Sequence, residues 1–499
     1  MKRSVTLLLA ALLAARMLTG CSESPAETSQ GEKDSTGVPT ETEKALTPEE
    51  QKVLEKQNYY DTLPGSIVNA GGEINFISGT WEDISADELT GERYNDAMYN
   101  RNLEVEDRLD VKIVNEYRED RNTVVTTINS NVLAGDGTYD VVSSFAPQIS
   151  TMFAAGSFLN MRDIPNLQTD EAWWNQSAND NLSIAGYSYT LISSLCHNAQ
   201  GVAMIILFNK DMCVDYNLGL PYDAVKEGKW TYDMMFEMVD TLPLDSNGDG
   251  AMDDRDIMGY TGQLMDVQGA MIASSMDYFT KDENDVPLFI LQNENNVNKF
   301  ETLFNFFTDK TRVVLIDAYK FAGSVTGWDY WNTRFLEGGP LFMREYPCNM
   351  YAYTEMEDDY GVLPMPKYDK AQSSYRCMGS KNHTSGLCVP KVFDAEAGDI
   401  GLVLDAMSYV SYVDVEPDFV RSYLESRYVR DEDSAEMMLI AIRNIHYDPG
   451  FILGVNWSDA MSIPNNVVKS GSNTLMRERP QKKDSALCSW FSGKRRDPS

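Results

Sequence analysis

The stretch EINFISG at residues 73–79 decides the fold, together with DVVSS at residues 140–144. Each stretch has the length and apolar content of a buried strand, and the first ends in a glycine turn. Between them, residues 111–114 are a third strand candidate, and helical periodicity runs through residues 92–109 and 121–134. Strand, helix, strand, helix and strand at this spacing predict a parallel sheet covered by helices, which is an α/β fold.

A second α/β region begins at residues 201–210, GVAMIILFNK, which are apolar enough for a buried strand. Residues 335–342 indicate a helix end, a tight turn and a strand, and prolines hold residues 361–369 in an extended conformation. Together with the length of 499 residues, this pattern predicts two or three domains, or two large lobes. Further helices are predicted in four amphipathic stretches, at residues 231–242, 297–307, 395–412 and 433–445.

The composition argues against several classes of partner. The net charge of -34 argues against nucleic acid, because no basic face exists to displace counterions from phosphates, and against docking on an anionic membrane surface. None of the cysteines forms a CxxC pair and no HExxH motif is present, so a zinc or redox centre is not predicted. The six cysteines after Cys21 could form disulfides or stay as free thiols, and their spacing does not decide between the two.

The beginning of the chain carries an export signal. Two basic residues at positions 2 and 3 precede an apolar run at residues 5–15, which is too short to span a bilayer. Leu-Thr-Gly-Cys follows at residues 18–21 and resembles the lipobox of bacterial lipoproteins. That resemblance implies cleavage before Cys21 and a lipid on its sulfur. The alternative is an ordinary signal peptide with a chance cysteine.

The export signal divides the first part of the chain. Residues 1–20 are expected to be a signal peptide, and residues 21–65, dominated by Glu, Thr, Ser, Pro and Gly, a lipidated disordered tether. Within the tether, residues 47–54 offer a helix N-cap followed by proline, so a short helix is predicted there. The protein is accordingly expected on the extracytoplasmic face of the cell membrane, held only by its lipid.

Five local matches, taken in order, carry a resemblance to a known family. They are the lipobox, the early strand–helix–strand unit that ends in GTYDVV, LFNKD at residues 207–211, FLEGGPLF at residues 335–342 and LPMPKYD at residues 363–369. In this order and spacing they resemble the extracellular solute-binding proteins of ABC importers, in particular family 1, the carbohydrate type. The resemblance covers roughly residues 70–475, nearly the whole mature chain.

This resemblance implies a bilobal periplasmic-binding-protein-like fold, with two discontinuous α/β lobes, a hinge and a cleft between the lobes. Lobe 1 would comprise residues 66–195 and 322–392, and lobe 2 residues 196–321 and 393–480, which leaves an unexplained basic tail at residues 481–499. The resemblance further implies a monomer without catalytic residues. Such a protein closes on a carbohydrate, here an oligosaccharide, and delivers it to an ABC transporter permease.

Aromatic rings and polar side chains are the candidate contacts to such a ligand, because a pyranose has an apolar face that stacks on a ring and hydroxyls that need partners. Two candidates lie at the carboxyl ends of predicted strands, where ligands of open parallel sheets bind. Three others come from one tryptophan-rich segment, and a tyrosine could contact a further side of the ligand. For each ring the alternative is packing in the core or at a lobe surface. In chain order the candidates are Trp81, Ser144, Trp328, Asp329, Trp331 and Tyr375.

An acidic segment at residues 245–256, DSNGDGAMDDRD, fits the pattern of a calcium-binding loop. Side chains with oxygen ligands stand at positions 1, 3, 5, 9 and 12 of the loop. A glycine at position 6 permits the sharp turn, and the residue at position 7 would give its backbone carbonyl. Aspartate instead of glutamate at the last position resembles loops of the dockerin type. The alternative is a solvated acidic turn without an ion. The predicted ligands of this structural Ca²⁺ are Asp245, Asn247, Asp249, Ala251, Asp253 and Asp256.

Two other functions remain open. A surface enzyme that degrades glycans needs two carboxylates at a fixed separation in one cleft, and the abundance of Asp and Glu makes any chosen pair uninformative. The sequence has no GxSxG, P-loop or GxGxxG motif, so no enzyme is predicted. A glycan adhesin or sensor without transport would carry the same lipid anchor.

Overall fold

The computed structural model describes residues 47–64, 72–80, 84–246, 248–250, 256–318, 328–380, 382–393, 397–424, 428–450 and 460–475. The predictions for the signal peptide, for Cys21, for the start of the tether and for the basic tail lie outside these residues. Within the described ranges, no helix combines the length and the apolar character needed to cross a membrane.

The strands of the described residues form two main sheets and two short two-stranded ladders. In chain order the strands are β1 (Gly72–Ser78), β2 (Val111–Tyr117), β3 (Val141–Phe145), β4 (Ile205–Asn209), β5 (Met258–Gly262), β6 (Phe279–Lys281), β7 (Pro287–Phe289), β8 (Val313–Leu315), β9 (Pro340–Glu345), β10 (Tyr360–Pro364), β11 (Cys377–Met378), β12 (Ser385–Cys388) and β13 (Ile445–His446).

Capping groups in the sequence explain where many helices begin and end. Side-chain oxygens of Glu92, Asp120, Asn209 and Thr231 accept from backbone N–H groups two or three residues further on, and Gly135 ends a helix with φ 66°. The α-helices are α1 (Pro48–Thr62), α2 (Arg93–Leu109), α3 (Arg121–Ala134), α4 (Ala146–Ala154), α5 (Gln176–Leu182), α6 (Asn198–Gly201), α7 (Lys210–Asp215), α8 (Tyr222–Lys226), α9 (Tyr232–Asp240), α10 (Met265–Ala273), α11 (Glu294–Thr308), α12 (Trp328–Leu336), α13 (Ala397–Val410), α14 (Glu416–Leu424), α15 (Glu432–Arg443) and α16 (Ile463–Ser470). A π-helical turn, Ser411–Val415, joins α13 to α14.

The first main sheet has the strand order β12-β3-β1-β2. β1 is parallel to both of its neighbours, with Ser78 opposite Tyr117 on one side and opposite Ser143 on the other, so the three carboxyl ends meet at one edge. β12 is antiparallel and begins at Ser385, opposite Phe145. The parallel strand–helix unit predicted from the sequence is therefore confirmed.

The second main sheet has the strand order β10-β4-β9-β5-β8. β9, β5 and β8 are parallel, and β4 runs antiparallel to β9, with Ile205 opposite Glu345. All five residues of β4 are buried, as the apolar run at residues 201–210 predicts. The chain therefore enters β4 at the edge of the sheet where β9, β5 and β8 have their carboxyl ends.

The observed strand partners differ from the lobe boundaries predicted from the sequence. The sequence places residues 322–392 in lobe 1, yet β9 and β10 from this range pair with β4 in the second sheet, and β12 joins the first. Helix α13, placed in lobe 2, packs against α2 beside the first sheet. The physical reason is that an apolar run predicts burial of a strand without specifying which sheet it joins.

Two neighbouring segments connect the sheets, and we call them the first crossing (residues 196–204) and the second crossing (residues 379–384). They run side by side, because Ala203 of the first forms a bridge with Gly379 of the second. The first crossing leads into β4 and the second into β12, each at the carboxyl edge of its sheet. The two edges therefore meet at the same pair of crossings.

The last part of the predicted tether is structured. α1 extends well past the predicted residues 47–54, and Tyr59 stacks on Tyr409 of α13 with ring centroids 3.8 Å apart. The Tyr59 hydroxyl donates to Asp405 Oδ2 at 2.8 Å, and the same buried carboxylate accepts from two indole N–H groups. The prediction of a disordered tether up to residue 65 is wrong for this helix, because Tyr59 supplies the buried apolar surface that a disordered segment lacks.

The cysteines that the structure describes are thiols, not disulfides. Burial raises the pKa of the Cys213 thiol to about 12, so it stays protonated and unreactive at neutral pH. The same effect raises the pKa of Cys377 to about 12. The described thiols are Cys196, Cys213, Cys348, Cys377 and Cys388.

Candidate functional site

The carboxyl ends of β1 and β3 form the first edge of the candidate site. Thr80 Oγ1 and Ser143 Oγ are both buried and lie 3.1 Å apart, and the Gly79 N–H donates to the Ser143 carbonyl at 3.0 Å. A Cβ at Gly79 would lie 3.0 Å from Val124 Cγ2 and 3.1 Å from Arg121 Cβ. The start of α3 is thus pressed against the end of β1, which leaves backbone groups and small hydroxyls at this edge.

Tyr117 ends β2 beside this edge, and 49% of its surface is exposed. The next residue, Arg118, donates its backbone N–H to the Ser78 carbonyl at 2.7 Å and pairs its guanidinium with Glu116 at 2.5 Å. An exposed ring at the carboxyl end of a parallel strand can stack on a ligand bound there. The apolar run of this strand ends at Val114 in the sequence, so the pattern does not indicate Tyr117 as a candidate. An aromatic residue three positions after the apolar run is the signal that could have found it.

The second crossing brings His383 to the end of β3. Its imidazole lies edge-on to the Phe145 ring, with centroids 5.8 Å apart, and Nδ1 is 3.0 Å from Ser380 Oγ. The Arg121 guanidinium lies over the same Phe145 ring at 5.3 Å and donates to the Asn382 carbonyl at 2.8 Å. Burial, and then the charge of Arg121, lower the pKa of His383, so the imidazole is neutral at neutral pH. These groups form a polar link between the first sheet and the second crossing.

A buried arginine at the end of β9 forms the second edge. Arg344 Nε donates to Asp266 Oδ1 at 2.6 Å, and Nη2 donates to Gln263 Oε1 at 2.9 Å. The guanidinium lies over the rings of Trp331 and Tyr346, at 4.6 and 4.8 Å from their centroids. Burial acts against its charge, but the Asp266 carboxylate raises the pKa of Arg344, so the guanidinium stays charged. Since Gln263 follows β5, this cluster joins the carboxyl ends of β5 and β9.

Two of the rings predicted to contact ligand are packed in the core. Trp331 is 2% exposed and has Arg344 over its ring. Tyr375 is 8% exposed, and its hydroxyl donates to the Val225 carbonyl at 3.0 Å. The rest of the chain largely covers both rings, although Tyr375 still lines a pocket, so their contact with a ligand stays a prediction. Ser144 is also buried, in β3, and among the described residues its Oγ has no hydrogen-bond partner.

The remaining ligand candidates stay predictions. Trp81 lies outside the described residues, and Trp328 and Asp329 begin α12 with side chains that are not described. The structure instead places Tyr117 at the end of β2 and His383 beside the end of β3, and neither residue is among the candidates predicted from the sequence.

The described part of the predicted calcium loop is folded around Asp245. Its carboxylate accepts from the backbone N–H groups of Gly248 at 2.9 Å and Gly250 at 3.0 Å, and Gly250 has φ +80°, which the sharp turn requires. At the other end, Asp256 is 2% exposed and accepts from the Ser246 N–H at 3.1 Å. Within the described ranges, no three His, Cys, Asp or Glu side chains converge as metal ligands. The other predicted ligands Asn247, Ala251 and Asp253 lie outside those ranges, so the site stays a prediction.

No protein-family model and no curated protein matches the sequence. Solved structures do match the fold. The cyclic alpha-maltosyl-1,6-maltose binding protein from Arthrobacter globiformis has a TM-score of 0.55 at 12% identity, and the match covers 81% of this chain and 95% of that chain. For the maltose-binding periplasmic protein MalE from Listeria monocytogenes, in complex with maltose, the TM-score is 0.51 at 14% identity, over 81% of this chain and 94% of that chain. The chain has a periplasmic-binding-protein-like fold.

This binding-protein fold confirms the α/β class predicted from the sequence. Both main sheets are mixed, with mostly parallel strands. A cyclo/maltodextrin-binding protein complexed with maltotetraose also shares the fold, with a TM-score of 0.51 at 14% identity over 86% of this chain and 98% of that chain. At such identities the likeness concerns the fold alone. In this chain the binding-protein fold places the two carboxyl edges at one pair of crossings, where a ligand can contact both sheets.

Proposed function

We propose that the protein captures a carbohydrate, an oligosaccharide, and delivers it to the permease of an ABC importer. The observation that carries the proposal is that the parallel strands of both sheets have their carboxyl ends at the same pair of crossings. Ligands of open α/β sheets bind beyond such ends. The three structural neighbours named above, each with a TM-score above 0.5, are named as sugar-binding proteins, which supports a sugar as the ligand class.

The residues at these edges suit a sugar ring. The exposed ring of Tyr117 offers an apolar face for stacking. The Thr80 and Ser143 hydroxyls behind this edge are buried and bonded to each other, so they hold the end of β1 in place. On the second edge, Tyr346 and Gln263 are only 5% and 6% exposed and pack with the buried Arg344, so they form the rigid support of this edge. A preformed set of a few polar groups and rings is what a specific small-molecule site requires.

Capture in this proposal is a change of conformation, not of covalent structure. The two crossings act as the hinge, closure brings the two edges onto the ligand, and the closed form docks on the permease. The ligand stabilises the closed state only by the difference in its affinity for the two states. We therefore propose a binding protein without enzymatic activity, working as a monomer.

The same proposal places the protein on the extracytoplasmic face of the membrane through a lipid on Cys21. Two acyl chains hold a protein stably, whereas one gives only marginal binding. Cys21→Ala should move the protein from the membrane pellet to the soluble fraction, measured by immunoblotting after ultracentrifugation. Equal partition of the variant and the wild type would contradict the anchor.

The sugar-binding proposal is tested with the mature Cys21→Ala chain and a panel of mono- and oligosaccharides, by thermal shift and isothermal titration. A ligand at 100 times its Kd should add about 2.7 kcal/mol to the free energy of unfolding and raise Tm by a few degrees. Chromatography of the recovered sugar should show it unchanged. Cleaved sugar would favour the glycan-degrading enzyme, and no response to any saccharide would overturn the ligand class.

We also propose that residues 245–256 bind a structural Ca²⁺. Removing it with EGTA should lower Tm by a few degrees, because an ion at 100 times its Kd contributes about 2.7 kcal/mol to the folded state. Scanning calorimetry measures this, with CaCl₂ expected to restore Tm and MgCl₂ not. Asp245→Asn should abolish the response to EGTA, while Asp136→Asn, in an exposed turn, should keep it. A Tm insensitive to EGTA in the wild type would show that the loop holds no ion.

A further inference from the structure

A pocket of about 960 Å³ lies beside the crossings, apart from the two carboxyl edges. Its lining includes Cys196 and Gln200 of the first crossing, Glu416 at the start of α14, and Tyr375 and Arg376 just before β11. None of the described residues that form the candidate sugar site lines it. The volume falls within the range of roughly 300–1,000 Å³ that small-molecule sites occupy.

The lining of this pocket carries charges of both signs from different elements. Glu55 of α1 and Glu416 of α14 are carboxylates, whereas Arg443 at the end of α15 and Arg376 before β11 are guanidinium groups. Glu416 Oε2 accepts from Ser194 Oγ at 2.6 Å. Within the described part of the chain, no salt bridge joins either carboxylate to either guanidinium, and neither Glu55 nor Arg443 has an ion-pair partner, whereas Arg376 Nη2 pairs with Asp277 Oδ1 at 2.5 Å. The pocket can therefore match an anionic and a cationic group of one ligand.

Aromatic and aliphatic side chains also line the pocket. Trp173, Tyr412 and Ile442 line the pocket, and Tyr412 is 42% exposed. The Gln200 Oε1 and Arg376 Nε atoms are buried and have no hydrogen-bond partner among the described residues. The exposed ring of Tyr412 gives the pocket an apolar surface against which the body of a ligand can pack.

We propose that this pocket is a second binding site, for a small zwitterion with an apolar body, that is, an amino acid or a short peptide. Its ammonium group pairs with Glu416 and Glu55, and its carboxylate pairs with Arg443. Its side chain lies against Trp173. A neutral sugar would desolvate these charges without pairing them, so the ligand class differs from that of the proposed sugar site.

Isothermal titration of the mature Cys21→Ala chain tests this site with L-phenylalanine, L-leucine, L-lysine, L-glutamate and the dipeptide of two leucines as probes. At least one probe should bind with 1:1 stoichiometry. Arg443→Gln and, separately, Glu416→Gln should weaken that binding at least tenfold. Arg162→Gln, an exposed arginine outside the pocket, is the matched control and should bind like the wild type. N-acetyl-L-phenylalanine amide, which lacks both charges, should bind at least tenfold more weakly than a zwitterion.

Several results would overturn this second site. They are no binding of any probe at about 10 mM, wild-type affinity in both pocket variants, or competition between the bound probe and a saccharide. Loss of probe binding in Tyr117→Ala instead of Arg443→Gln would place the amino acid at the carboxyl edges, which overturns this site and the carbohydrate proposal together. Failure of every saccharide to bind, with probe binding still sensitive to Arg443→Gln, would overturn only the proposed carbohydrate function.

Discussion

Replacing Arg344 with alanine is expected to lower the free energy of unfolding by about 3–5 kcal/mol. The side chains of Arg344 and Asp266 are 1% and 0% exposed, so the substitution leaves a carboxylate buried without its cation. The Gln263 carbonyl loses its donor, and the space over the Trp331 ring is emptied. The unpaired charge and the cavity both lower the free energy of unfolding. Equilibrium denaturation in urea, followed by tryptophan fluorescence, measures the change.

The control for this prediction is a surface pair of the same chemistry. Arg162 pairs with Asp180, and their side chains are 43% and 69% exposed, so Arg162→Ala should change the free energy of unfolding by less than about 1 kcal/mol. The double variant Arg344→Met with Asp266→Asn should be more stable than Arg344→Ala, because it leaves no unpaired charge. A cost below about 1 kcal/mol for Arg344→Ala would show that water reaches this ion pair.

The first half of the fold could be predicted because its signals are local. Short apolar runs for the strands and period-3.6 apolar patterns for the helices, with a glycine after α3, specify β1 to β3 without reference to the rest of the chain. The sheet to which β9 and β10 belong could not be predicted, because a strand buried on both faces looks the same in either sheet. The packing of α1 was missed for a related reason, since Tyr59 finds Tyr409 some 350 positions away.

The candidate site was harder to predict than the fold, because it depends on which rings tertiary packing leaves exposed. Trp331 and Tyr375 have the residue types of a sugar site and are nevertheless covered, one with Arg344 over its ring and the other with its hydroxyl bonded to a backbone carbonyl. Tyr117 has the same chemistry and remains half exposed. Composition cannot separate these cases. The position of a ring relative to a carboxyl edge separates exposed rings from covered ones, but only once the ends and the partners of the strands are known.

Tyr117→Ala is expected to weaken the binding of a saccharide identified in the ligand panel by about tenfold to a hundredfold, or about 1.4–2.8 kcal/mol. The variant removes the exposed ring at the carboxyl end of β2, and with it the apolar face on which a pyranose would stack. Isothermal titration measures the affinity. Stability should change by less than about 1 kcal/mol, since the ring is only half buried in the protein.

Two variants separate stacking at Tyr117 from a general effect of losing a tyrosine. Tyr117→Phe keeps the ring and should bind within about threefold of the wild type, whereas loss of a hydroxyl contact would make it resemble Tyr117→Ala. Tyr351→Ala removes a ring that is 64% exposed in another part of the chain and should leave the affinity unchanged. If Tyr117→Ala binds the saccharide like the wild type, the ligand does not reach the end of β2. The sugar would then have to be held by the second edge and the crossings alone, and Gln263 and His383 would become the residues to substitute.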